Sequence, residues 1–96
     1  MDAQQILAML WYSSPTQYRS ARKLMADALL LPGRFSHWRV SAERVVTLAE
    51  SKGVKVERVA LDSPAAFKEF CRRMDIDADA QARQSYAMAL AAARQK

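Results

Sequence analysis

A chain of 96 residues is long enough for one domain with its own core. Its 15 Lys and Arg against 10 Asp and Glu give a formal charge of +5, which excludes an acidic protein and suits a polyanionic partner. A single cysteine, Cys71, excludes an intrachain disulfide, and every apolar run falls far short of the ~20 residues that span a bilayer.

The start, Met1-Asp2-Ala3-Gln4-Gln5, lacks the basic flank of a secretory signal, so a cytoplasmic setting with no membrane contact is expected. Residues 2–13 carry Ile6, Leu7, Met9, Leu10 and Trp11, which at helical spacing give a helix apolar nearly all round. Ser14-Pro15-Thr16-Gln17 is a helix start, with Ser14 as cap, Pro15 first and Gln17 as capping-box partner. The helix it opens runs to about Leu29 and turns Tyr18, Ala21, Leu24, Met25 and Ala28 inward.

Pro32-Gly33 breaks the pattern. A short helix to Trp38 follows, then another capped by Ser41, with Ala42, Val45, Val46 and Ala49 inward and Gly53 closing it. Residues 54–61 alternate like a strand. A lone strand has no evident partner in a helical chain, so an extended connection or a short helix is expected. Ser63-Pro64 opens a helix striped by Phe67, Phe70, Cys71 and Met74, and the last helix runs from about Asp79 to Arg94. The fold expected is all-α: one domain, 1–96, a small bundle of about five helices with no substantial sheet. Its parts are a degenerate helix-turn-helix-like region at about 15–61 and a C-terminal helical pair at about 63–95.

Candidates for chemistry are few. Cys71 lies on an apolar stripe, as a core residue would. Ser36 and His37 are adjacent and so do not face each other on a helix. Asp75-x-Asp77-x-Asp79 begins like a calcium loop but has Ala80 where glycine is needed and Tyr86 where a bidentate Glu is needed. No enzyme activity, cofactor or metal is expected.

Residues 21–38 can also be read as two crossed helices, Ala21–Ala28 and Pro32–Trp38, joined by Leu29-Leu30-Leu31. Leu24, Met25, Ala28, Leu30, Phe35 and Trp38 would hold them together. Arg34 and His37, with Ser36 and Arg39 beside them, would then face base edges, while Arg19, Arg22, Lys23 and Arg44 would reach phosphates.

Leu31-Pro32-Gly33-Arg34-Phe35-Ser36-His37-Trp38, then Val40-Ser41-Ala42-Glu43-Arg44-Val45 and the close at Gly53-Val54, resembles the Cro/repressor-type helix-turn-helix regulators of phages and prophages. The likeness covers roughly residues 18–61. It implies an all-helical, often dimeric protein that binds double-stranded DNA and regulates transcription. The alternative expectation is a protein-binding inhibitor or adaptor that uses apolar helix faces on a host or regulatory protein. Trp11, Tyr86 and Leu90 would then carry the partner or homodimer interface.

Overall fold

The computed structural model describes residues 5–94. It corrects the all-α expectation, because the chain forms a two-stranded parallel sheet as well as helices. The elements in order are β1 (Ile6–Trp11), α1 (Pro15–Arg22), a 3-10 turn (Ala28–Leu30), α2 (Phe35–Ser51), β2 (Lys55–Ala60), α3 (Pro64–Met74) and α4 (Ala80–Arg94).

The helix expected over 2–13 is β1 where it is described; residues 2–4 lie outside the described residues. A strand of a parallel pair is covered on both faces, so it is apolar at consecutive positions and mimics a buried helix. The second correction follows from the first. Residues 55–60 are β2, and the partner they seemed to lack is β1, in the register Ile6↔Lys55 to Trp11↔Ala60. Flanking bonds from Lys55 N–H to the Gln5 carbonyl (2.9 Å) and from Leu61 N–H to the Trp11 carbonyl (2.8 Å) extend the ladder at both ends. Parallel strands need a long crossover, which α1 and α2 supply.

Side chains alternate across the sheet. Leu7, Met9 and Trp11 share one face, where Trp11 meets Trp38 of α2 edge-on at 5.1 Å between ring centres. Ala8, Leu10 and Val59, on the opposite face, are buried. Helix α4 lies along β1 and buries Ala82, Ala87 and Ala91, whose small side chains allow close approach. Tyr12, Tyr18, Phe35 and Trp38 join Trp11 in one aromatic cluster, and Phe67, Phe70 and Tyr86 form a second between α3 and α4.

Local start signals hold where expected. Ser14 accepts from the Gln17 N–H at 3.1 Å and Ser63 from the Ala66 N–H at 3.0 Å. Gln17 returns its bond to the Ser13 N–H at 2.8 Å, one residue earlier than a regular capping box. The Asp75–Asp79 acids close α3 and open α4: Asp75 takes a left-handed conformation, and Asp79 accepts from the Ala82 N–H at 3.0 Å.

The third correction concerns the helix-turn-helix. Helix α1 ends at Arg22 and does not reach Leu29, so no one helix covers Ala21–Ala28; no separate helix covers Pro32–Trp38 either, and Ser41 caps nothing. One helix runs unbroken from Phe35 through Trp38 and Ser41 to Ser51. After Gly33 nothing breaks a helix until Gly53, and the buried Trp38, Ala42 and Val46 recur every four residues on one face.

Candidate interaction face

Burying Trp38, Ala42 and Val46 fixes the rotation of α2 about its axis. The opposite side is then committed to solvent, and it carries Ser36, Val40, Arg44, Thr47 and Ser51, with Glu43 and Leu48 at its edges. Val40 is 52% exposed and Leu48 58%. A shallow depression of about 810 Å³ runs along this side, and every residue lining it belongs to α2. It is therefore an open helix face and not an enclosed cavity. Leu48 also borders a second depression of about 460 Å³ with Ile6, Leu7, Val45 and Val54, so the apolar surface continues onto the start of the sheet.

The charges around this stripe are unequal. Glu43 is held by Arg58 at 2.7 Å, and the Arg58 guanidinium lies over the Trp11 ring at 4.8 Å. Arg39 and Arg44 are exposed, and none of the described ion pairs includes them. Val40 and Leu48 thus lie on one ridge with the free cation Arg44 between them, and Arg39 borders it.

The residues read as base contacts lie at the beginning of α2. Arg34 is the N-cap, and Ser36, His37 and Arg39 fall in the first turns, all exposed. At 3.6 residues per turn, His37 and Arg39 point about 160° apart, so they do not share a face. Of the expected phosphate contacts, Arg19 and Lys23 are exposed on and just after α1, and Arg44 is exposed on α2. Arg22 is turned onto the Leu31 carbonyl at 3.4 Å.

The expected partner residues lie mostly inside the chain's own core. Tyr86 is 6% exposed, packs on Phe67 and Phe70, and donates to Asp62 at 2.7 Å. Burial, first, and the bond to Asp62 hold its hydroxyl well above the usual tyrosine range. Trp11 is half-buried between Trp38 and Arg58, and Leu90 packs against the core.

Val40, Leu48 and Ile6 were not among the expected site residues, and Val45 was placed inward although it is 47% exposed. The available signal was that α2 has apolar residues on more of its circumference than one buried stripe needs.

For chemistry, Cys71 is buried, and burial pushes its thiol above the ordinary value, so it stays protonated near neutral pH. Among the described residues no group of three His, Cys, Asp or Glu could hold a metal ion, and no helix is long and apolar enough to cross a membrane. Comparison of the chain with protein-family models, curated proteins and solved structures finds no match.

Proposed function

We propose that this chain is a protein-binding adaptor or inhibitor module whose working surface is the outward face of α2. The observation that carries the reading is the exposure of Val40 and Leu48, joined through Val45 to Ile6, on a helix whose other side is locked into the core. Contiguous apolar surface rimmed by polar groups is the usual mark of an interaction site. The partner fits best as an amphipathic helix laid along α2, with apolar side chains for Val40 and Leu48, an acid between them for Arg44 and a second at the margin for Arg39. The DNA-binding alternative would place an apolar strip in the middle of α2 against a polar groove. The single unpaired cysteine suits a reducing compartment such as the cytoplasm.

The experiment is a photo-activatable phenylalanine analogue placed at Thr47, with Lys68 on the exposed side of α3 as control, in cells that produce the chain. A discrete adduct from Thr47 that disappears with Val40→Asp, and none from Lys68, is expected. Equal or absent adducts at both positions contradict the reading.

A further inference from the structure

Among the described residues away from α2, the most exposed large apolar side chains are Leu29 and Leu30, at 95% and 83%. Both sit on the 3-10 turn Ala28–Leu30, and that turn is pinned from several directions. The Ala26 N–H donates to the Ala78 carbonyl at 2.8 Å. Asp27 is gripped by both terminal nitrogens of Arg83 at 2.8 and 2.9 Å. Arg22 holds the Leu31 carbonyl, and the Tyr18 hydroxyl donates to the Pro32 carbonyl. The backbone on both sides of the leucines is fixed, so the pair is held outward and cannot fold in.

The chain flanking the turn is basic, although the Ala26–Ala78 bond also brings Asp77 and Asp79 alongside. From Arg19 to Arg34 the chain has four cations, Arg19, Arg22, Lys23 and Arg34, and one acid, Asp27, which is committed to Arg83. No acid in this segment is left to repel an anionic surface.

We infer that the Leu29–Leu30 turn is a membrane-surface anchor: the two leucines enter the acyl region of an anionic bilayer while Lys23 and Arg34 meet its headgroups. A convex apolar tip finds its complement in a fluid acyl layer without a preformed hollow, and flanking cations select anionic lipid. The contact is weak and reversible, because two leucines bury less than one acyl chain. Such an anchor needs no long apolar run. It is independent of the α2 face and can fail without affecting that reading.

The test is flotation of the full chain with vesicles of phosphatidylcholine alone or mixed with phosphatidylglycerol, at low and high salt. The wild-type chain should float with the anionic vesicles at low salt and not with the neutral ones. Leu29→Ser/Leu30→Ser should lower the bound fraction at least about tenfold, with an unchanged far-UV spectrum and melting temperature. Lys23→Glu/Arg34→Glu should do the same. Wild-type chain that stays with neither vesicle overturns the proposal and points to a protein cover for the turn. A double-serine variant that floats like wild type overturns it as well, since charge alone would then explain binding.

Discussion

Asp27 and Arg83, 56 positions apart, meet as a two-pronged ion pair whose side chains are only 18% and 16% exposed. The pair ties the loop after α1 to the first turns of α4. Arg83 also touches the Met25 sulfur at 3.4 Å. The hydrogen bond from Arg83 is the main reason the Asp27 carboxyl sits below its ordinary value.

Asp27→Asn should therefore cost about 2–3 kcal/mol at neutral pH, because it leaves Arg83 half-satisfied in a nearly closed site. A depressed folded-state value contributes stability above the unfolded carboxyl value and loses it as pH falls through the folded one. The gap between wild type and variant should be full at pH 7 and shrink below about pH 4. Urea melts across that range measure it; a constant gap would assign the loss to packing.

Trp38 is the hub of the aromatic cluster, in contact with Trp11, Tyr12, Tyr18 and Phe35 at ring-centre distances of 4.8 to 5.9 Å. Trp38→Ala should cost about 3–5 kcal/mol. Chemical denaturation followed by far-UV circular dichroism is the check. A loss below about 1 kcal/mol would mean that α2 is not held to the sheet by this ring.

Asp75 ends α3 with φ of 54°, the role that Gly53, with φ of 83°, plays after α2. A side chain in this left-handed region is strained, and glycine is not. Asp75→Gly should stabilise the chain by about 0.5 kcal/mol and raise the melting temperature by a few degrees in calorimetry.

On the proposed docking face the apolar and charged residues should behave differently. Val40→Asp should weaken partner binding by about 2 kcal/mol or more, chiefly through faster dissociation. Arg44→Ala should cost less than about 1 kcal/mol, act on association and fade with added salt. Surface plasmon resonance at two salt concentrations separates the two effects.

What could be read from the residues divides by range. Ser14, Ser63, Gly53 and Asp79 act within a few positions of themselves, and their roles were visible. The stripe Phe67–Phe70–Cys71 does point inward, although Met74 at its end is exposed. Helix α4 lies where expected, and it buries Ala82, Tyr86, Ala87 and Ala91. The sheet was hidden because a six-residue apolar run has no period that separates a doubly covered strand from a buried helix. Misreading Ile6–Trp11 took away the partner of Lys55–Ala60 and made its alternation look meaningless. The division of α2 at Ser41 came from reading Ser41 as an N-cap, whereas the spacing of Trp38, Ala42 and Val46 already allowed one helix. The pair Asp27–Arg83 and the outward face of α2 depend on how distant elements are stacked, and no local pattern carries that.

The most direct measurement of the central claim is thiol labelling at Val40. In a Cys71→Ala background, single cysteines at Val40, Thr47 and Lys68 would be labelled with a maleimide in purified chain and in intact producing cells. The account predicts that Val40 and Thr47 are shielded in cells at least several-fold relative to the purified chain, while Lys68 reacts equally in both. Equal rates at all three positions in cells and in solution would show that nothing covers α2, and would contradict it.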